Sequence, residues 1–223
     1  MEIVYSQDQL IDYIARSADV TKGHPILIDQ FLEDAFEFDV DALCDGEEVY
    51  IGAIMQHIEE AGIHSGDSAC VLPPYQIKSN TIDDIEKITT LLSVELNVKG
   101  LINIQFAFKD DNLYVLEVNP RASRTTPFVS KSINVPLAKI AAQLSVGIKL
   151  KEFDLPKWNC IKHVSIKEAV LPFNKFPKES IFLSPEMKST GEVMGISDTL
   201  GQSFLKASIS AGNVIPDRGT VFI

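Results

Sequence analysis

Alternating hydrophobic and polar positions predict two antiparallel hairpins in the first half of the chain. Over residues 37–42 acidic side chains alternate with apolar ones, which is typical of a half-buried strand. A turn at Asp45-Gly46 then leads into a second predicted strand over 49–55. Residues 101–108 and 113–119 form the second predicted hairpin around a polar turn. Further apolar runs predict strands at 1–5, 26–28, 163–171 and 193–196.

Helical periodicity predicts four helices. The clearest covers 81–96, where apolar residues recur every three or four positions and acidic residues fill the first turn. Asn80 or Thr81 would cap it. The other three predicted helices follow a capping box at Ser6–Gln9, run from Pro136 to Gly147, and cover 199–210. Together these elements indicate an α+β fold with a mainly antiparallel sheet flanked by helices.

Composition narrows the possible functions. The 223 residues allow one domain or two small ones, and the net charge is −11. An acidic chain does not favour a nucleic-acid groove or an anionic membrane surface, so neither partner is expected. No apolar run approaches the roughly 20 residues that span a bilayer. The three cysteines lie far apart without C-x-x-C spacing, which indicates free thiols in a reducing cytoplasm.

Acidic residues are concentrated between Glu33 and Glu48, where eight acids occur without a lysine or arginine. The alternation places three of them on one face of the predicted strand over 37–42. We interpret most of these eight acids as a solvated strand face.

The second hairpin gives the most specific chemical prediction. If its turn centres on Asp111, Gln105 faces Glu117 and Asn103 faces Asn119. Four oxygen-bearing side chains then converge on one face, whose carboxylate and amide oxygens suit a hard cation such as Mg²⁺. A bulge in the turn would shift this register by one residue. The alternative is a polar strand face exposed to solvent.

Arg121 and Arg124 follow this predicted metal corner directly, with Lys131 nearby. Arginine forks match phosphate oxygens, and a metal with arginines is the recurring arrangement for phosphoryl transfer. The alternative is that these are surface arginines balancing acidic neighbours. The segment Gly62–Ser68 also offers polar groups, although such a loop is more often only a turn. Neither a G-x-G-x-x-G nor a Walker pattern is present, so no phosphate-cradling glycine loop is expected in this chain.

Five segments of the sequence resemble the large chain of carbamoyl-phosphate synthase. They are 29–42 (DQFLEDAFEFDVDA), 57–70 (HIEEAGIHSGDSAC), 117–125 (EVNPRASRT), 171–177 (LPFNKFP) and 185–195 (PEMKSTGEVMG). The Glu-x-Asn-Pro-Arg motif is general to ATP-grasp enzymes, whereas its combination with His-Ser-Gly-Asp-Ser-Ala-Cys is more specific. Ser65 and the Ala69-Cys70 pair resemble the second, carbamate-phosphorylating ATP-grasp half of that family.

The resemblance implies a set of site residues and cofactors. The segment 29–32 would be the adenine hinge, with Gln30 and Leu32 near the base, and Glu37 would hold the ribose. The implied nucleotide pocket consists of Gly62, Ile63, His64, Ser65, Gln105 and Glu117. The implied metal ligands are Gln105, Glu117 and Asn119. The implied catalytic residues are Asn119 together with Arg121 and Arg124, which would face the phosphates and carbamate. The implied cofactors are ATP, Mg²⁺ or Mn²⁺, and K⁺.

The resemblance also implies a division of the chain and a set of partners. Residues 1–32 would end the lid and form the adenine hinge, 33–150 the catalytic subdomain, and 151–223 a segment leading towards the regulatory domain. A chain that begins downstream of the lid's glycine loop would be an inactive fragment. Its partners would be the rest of the large chain, a glutaminase small chain, ATP and carbamate, for arginine and pyrimidine biosynthesis. An ATP-grasp carboxylate–amine ligase of another family and a non-catalytic module remain alternatives.

Overall fold

A seven-stranded antiparallel sheet organises the computed structural model, which describes residues 3–21, 24–176, 178 and 180–220. The strands in chain order are β1 Phe36–Asp45, β2 Val49–His57, β3 Cys70–Leu72, β4 Lys99–Lys109, β5 Asn112–Asn119, β6 Val164–Val170 and β7 Gly191–Ser197. Their order across the sheet is β5-β4-β1-β2-β3-β6-β7. The predicted α+β class with an antiparallel sheet is therefore confirmed.

Within the described residues, five α-helices accompany this sheet. They are α1 Gln7–Thr21, α2 Ser79–Glu95, α3 Thr126–Ile133, α4 Leu137–Ser145 and α5 Leu200–Ser210. The apolar stripes of α2 and α4 pack with β1, β2 and β4 around one hydrophobic core, and α5 packs on β6 and β7. None of the helices in the described ranges is both long and apolar enough to cross a membrane.

Both predicted hairpins are present. β1 and β2 are joined through Gly46, whose φ of +93° favours glycine. The β4–β5 turn contains Asp110 and Asp111, both with positive φ, as a tight two-residue hairpin requires. A bulge next to Gln105 shifts the register towards this turn, but the predicted pairs Gln105–Glu117 and Asn103–Asn119 are kept.

The prediction that β1 is half-buried and carries a solvated acidic face is wrong. Glu37, Asp39, Asp41 and Asp45 are all buried, although the other four acids between residues 33 and 48 are exposed. The polar face of β1 is covered by the loop after β2 and faces a buried histidine and lysine. Strand alternation shows that two faces differ, and it does not show whether the polar face meets water or other polar groups.

Two of the predicted short strands are not found. The one over 1–5 begins outside the described residues, and residues 3–5 form no strand. The run 26–28 is also not a strand, and Leu27 is 83% exposed. Extended backbone needs a neighbouring strand for its hydrogen bonds, and no described strand pairs with these runs.

The predicted N-cap of α2, Asn80 or Thr81, is also wrong. The helix begins at Ser79, and Lys78 is its N-cap.

The C-terminal third of the chain continues the same sheet. β6 pairs with β3, and β7 pairs with β6. α5 lies directly against β7 at Gly195, where a Cβ atom would come within 2.1 Å of the Ser203 carbonyl oxygen. The predicted boundary at residue 150 thus falls between elements of one sheet, and the three-part division of the chain stays a prediction.

Candidate active site

A cleft of about 350 Å³ opens over the polar face of β1, β4 and β5. The loop after β2 forms its opposite wall, and β6 contributes to its lining. Ten of the twelve site residues named from the sequence line this cleft: Glu37, Gly62, Ile63, His64, Ser65, Gln105, Glu117, Asn119, Arg121 and Arg124. The structure brings together residues that lie up to 87 positions apart in the chain, and their individual roles stay predictions.

The oxygen-bearing corner of the cleft is built by the β4–β5 hairpin. Asn119 donates a side-chain hydrogen bond to Glu117 Oε1, which holds both groups together on one face of β5. Across the pair, Gln105 Nε2 donates to Ser65 Oγ at 3.1 Å. Since the amide nitrogen is used in this contact, Oε1 of Gln105 points away from Ser65. The corner therefore offers a carboxylate and amide oxygens, the donor set that suits Mg²⁺ or Mn²⁺.

The loop of residues 62–66 covers the cleft through backbone and short side chains. Gly62 N donates to Glu37 Oε1 at 3.4 Å, and Gly66 N donates to His64 Nδ1 at 3.0 Å. Gly62 has a φ of +102°, and a Cβ atom there would meet the Phe31 ring at 2.7 Å. Glycine is thus required at this position both for the backbone conformation and for the close approach of Phe31.

A buried network of charges lies at the base of the cleft. His57 Nε2 is 3.0 Å from Asp39 Oδ2, and its Nδ1 is 3.1 Å from Glu37 Oε2. Burial alone would lower the pKa of His57, but contacts with Cys70, Asp39 and Glu37 outweigh it and raise the pKa well above the ordinary value. Burial alone would raise the pKa of Asp39, and the hydrogen bond and charge of His57, with Lys167, lower it. Both shifts favour the charged forms of His57 and Asp39.

Lys167 is the second buried cation of this network. It is 1% exposed, and its Nζ donates to the Ser65 carbonyl oxygen at 3.0 Å. Although burial opposes its charge, its pKa is raised through the charges of Cys70, Glu192 and Asp39. Lys167 lies on β6 and so connects the loop of residues 62–66 to the C-terminal part of the sheet.

The loop after β5 carries both arginines to the cleft. Arg124 Nη1 lies 3.3 Å from Ser189 Oγ and 2.9 Å from Met187 Sδ, and its Nε is 3.7 Å from Glu192. The Arg124 side chain is 44% exposed. The exposed part of the side chain is therefore accessible to an anion in the cleft, while Nη1 and Nε contact residues between 187 and 192.

Two predicted residues do not line this cleft. Gln30 is exposed and borders a separate apolar groove formed with α1, while Leu32 borders neither of these cavities. Their family-implied contacts with the base region stay predictions.

Several polar residues of the cleft were missed as site residues by sequence reasoning. They are Asp39, Ser123, Thr125 and Lys167, together with His57 beneath the cleft. The acidic alternation around Asp39 was visible, but it was interpreted as a solvated face. Nothing in the local sequence around Lys167 distinguishes a buried lysine on a strand from an exposed one.

The sheet and cleft define a class of protein, the ATP-grasp fold. The structure is similar to the biotin carboxylase domain of a single-chain bacterial carboxylase, with a TM-score of 0.62 and 13% sequence identity over 76% of this chain and 38% of that one. At this identity the likeness shows the fold alone, and it confirms the predicted ATP-grasp architecture.

The family follows from sequence comparison. The family described as "Carbamoyl-phosphate synthase L chain, ATP binding domain" matches residues 1–153. A carbamoyl phosphate synthase large chain from Archaeoglobus fulgidus is 59% identical over all of this chain and 21% of the relative. A Methanocaldococcus jannaschii protein named "Carbamoyl phosphate synthase large chain, C-terminal section" is 53% identical over all of this chain and 38% of its own length. The chain belongs to the carbamoyl-phosphate synthase large-chain family, and it spans about a fifth of the full-length relative.

Proposed function

We propose that this chain forms part of the second ATP-grasp half of a carbamoyl-phosphate synthase large chain, where ATP phosphorylates carbamate. A carbamate oxygen attacks the γ-phosphorus of ATP, the bond to the bridging oxygen of ADP breaks, and carbamoyl phosphate and ADP are formed. The observation that carries this proposal is the convergence of Gln105, Glu117, Asn119 and Arg124 on one cleft beneath the loop of residues 62–66.

Assignment to the carbamate-phosphorylating half has two supports. The His64-Ser65 and Ala69-Cys70 pairs resemble that half of the family rather than the bicarbonate-phosphorylating half. A relative whose name gives it as the C-terminal section of a large chain also aligns with every part of this chain. The proposal extends to a glutaminase small chain as partner, to K⁺ as a further cofactor, and to a role in arginine and pyrimidine biosynthesis.

In this proposal each part of the cleft has a chemical task. Gln105, Glu117 and Asn119 would hold Mg²⁺ or Mn²⁺, which neutralises phosphate charge when bound. Arg121 and Arg124 donate hydrogen bonds to phosphate oxygens as negative charge moves towards ADP. The 62–66 loop covers the nucleotide, and Lys167 fixes that loop through the Ser65 carbonyl oxygen. Positioning and charge stabilisation account for most of the catalysis in phosphoryl transfer, and these are the tasks that the proposal assigns to the cleft.

The decisive experiment is Glu117→Gln in the full-length large chain. The substitution keeps the shape of the side chain but replaces a metal-binding carboxylate with a neutral amide. We expect carbamate-dependent ATP turnover to fall by on the order of 10²-fold or more, with a higher Mg²⁺ requirement.

The matched control for this experiment is Glu95→Gln at the exposed end of α2, which removes the same charge far from the cleft. Its turnover should equal that of the wild type. A Glu117→Gln enzyme with the wild-type rate at limiting Mg²⁺ would show that the metal assignment is wrong.

A further inference from the structure

Asp41 is a buried carboxylate that the proposed reaction does not use. It lies on β1 and is fully buried. Oδ1 accepts hydrogen bonds from Ser123 Oγ at 2.7 Å and from Asn103 Nδ2 at 3.1 Å, and Oδ2 accepts from Thr125 Oγ1 at 2.5 Å. Two of its three donors thus come from the loop after β5, more than 80 residues away along the chain.

These two donors flank Arg124 on both sides. The hydroxyl groups of Ser123 and Thr125 point inwards to Asp41, while the guanidinium between them extends into the cleft. Ser123 Oγ also accepts a hydrogen bond from Thr126 N at 3.1 Å, which connects the loop to the first turn of α3. One carboxylate therefore fixes the backbone on either side of the arginine.

The third donor connects Asp41 with the predicted metal corner. Asn103 faces Asn119 across the β4–β5 ladder and itself lines the cleft. Its amide nitrogen is held by Asp41, with a longer contact of 3.4 Å to the Val40 carbonyl oxygen. Asp41 thus contacts the supports of both the arginine loop and the oxygen-bearing corner.

We propose that Asp41 is a positioning residue that sets the placement of Arg124 for phosphoryl transfer by anchoring Ser123 and Thr125. This inference rests on the function proposed above and deepens it. A carboxylate suits the task because each of its oxygens accepts a hydroxyl group, whereas an asparagine offers a single acceptor oxygen. Hydrogen bonds to a charged acceptor are also stronger and more directional than those between neutral groups.

Asp45 offers a matched control for a purely structural role. It lies four residues further along β1, is also buried, and lines none of the cleft. Its carboxylate accepts hydrogen bonds from the backbone of Glu47, Glu48 and Leu150 at 2.8–3.0 Å. Substituting Asp45 removes a buried anchor of comparable size without touching the arginine loop.

The experiment compares Asp41→Asn and Asp45→Asn in the full-length large chain by steady-state kinetics and thermal melts. We expect Asp41→Asn to lower kcat for carbamate-dependent ATP turnover by about 10- to 100-fold with the KM for ATP changed less than twofold, since small displacements of a catalytic group have effects of this size. Asp45→Asn should keep the wild-type kcat even where its melting temperature falls. Equal kcat values for the two variants would overturn the inference.

A double variant separates an action through Arg124 from an independent effect. If Asp41 acts by placing the guanidinium, Asp41→Asn combined with Arg124→Lys should have about the same kcat as the slower single variant. If the fold-losses in kcat of the two single variants instead multiply in the double variant, Asp41 does not act through Arg124. A wild-type enzyme without carbamate-dependent turnover would instead contradict the proposed function itself.

Thr125 provides the test should Asp41→Asn fail to fold. Thr125→Val removes the hydroxyl group while keeping the shape of the side chain, and Thr125→Ser keeps the hydroxyl group. We expect Thr125→Val to lower kcat and Thr125→Ser to restore most of it. Identical kcat values for the valine and serine variants would count against anchoring by this contact.

Discussion

Asp41 and Asp45 lie on the same strand, and both carboxylates are buried, yet their surroundings have opposite effects. At the turn end of β1, burial opposes the charge of Asp45, but backbone donors from Glu48, Leu150 and Glu47 outweigh it and lower its pKa. At the cleft end, burial raises the pKa of Asp41 to about 6, with a contribution from Asp39, and the hydrogen bonds of Thr125 and Ser123 offset this only in part.

The two carboxylates therefore differ in their effect on stability. Charged Asp45 stabilises the fold, whereas Asp41 is costly to keep charged in the folded protein. Two of the three donors to Asp45 are backbone N–H groups of its own turn, which need an acceptor in any case, and the third is the backbone N–H of Leu150. The cleft end instead gathers Asp39, Asp41, His57 and Lys167 in a poorly solvated place. Such local costs are typical of functional sites, where groups are placed for chemistry rather than for stability.

The largest expected effect comes from removing the buried cation at the cleft end. Lys167→Met leaves Asp39 and Glu192 without their partner on β6. We expect the free energy of unfolding to fall by about 3–5 kcal/mol, since an uncompensated buried charge is strongly destabilising. Denaturant titration would measure this loss.

Lys162→Met serves as the matched control, because it removes an exposed lysine close to the start of the same strand. It should change the free energy of unfolding by no more than about 0.5 kcal/mol. Equal losses of unfolding free energy in Lys167→Met and Lys162→Met would show that the buried lysine contributes no more to stability than an exposed one.

The next effect concerns activity rather than stability. Arg124→Lys keeps the charge but loses the planar fork that can bind two phosphate oxygens at once. We expect kcat of the full-length large chain to fall on the order of 10²–10³-fold, with little change in KM. Because the side chain is 44% exposed, the melting temperature should barely move. A large drop in melting temperature with unchanged kcat would make Arg124 a structural residue.

The smallest expected effect is on the pH dependence of the free energy of unfolding, which should differ between Asp41 and Asp45. The folded-state pKa of Asp41 lies above its ordinary value of 3.8, so its protonation favours the folded state as the pH falls through about 6. We therefore expect the wild type to gain on the order of 1 kcal/mol relative to Asp41→Asn between pH 7 and pH 5. Urea titrations at the two pH values would measure this difference.

Asp45 should change the free energy of unfolding with the opposite sign as the pH falls, and only at a lower pH. Its lowered pKa contributes stability that is present above 3.8 and is lost only as the pH falls through the folded-state pKa. The difference between the wild type and Asp45→Asn should therefore be the same at pH 7 and pH 5. A parallel pH dependence for both variants would contradict the contrast between the two ends of β1.

Much of the sheet could be predicted because its signals are local. Strand alternation and turn residues fixed the two hairpins, and the opposing pairs Gln105–Glu117 and Asn103–Asn119 followed from the spacing across one turn. Pro136 at the start and Gly147 at the end predicted a helix between them, and the structure has this helix at Leu137–Ser145. Among the described strands and α-helices, β3 and α3 were missed. β3 has only three residues, and α3 begins with a Thr-Pro pair rather than a clear cap.

The sequence by itself determined the hairpin that presents Gln105, Glu117 and Asn119, since adjacent strands and a tight turn leave few alternative registers. Only the tertiary structure decided what surrounds that corner. It buried the acidic face of β1 against His57 and Lys167, which lie 18 and 128 residues after Asp39, and it placed Asp41 under the arginine loop. The physical reason is that the local sequence of a strand does not encode whether a carboxylate will meet water or a distant cation, so its environment depends on which other segments the whole fold packs against it.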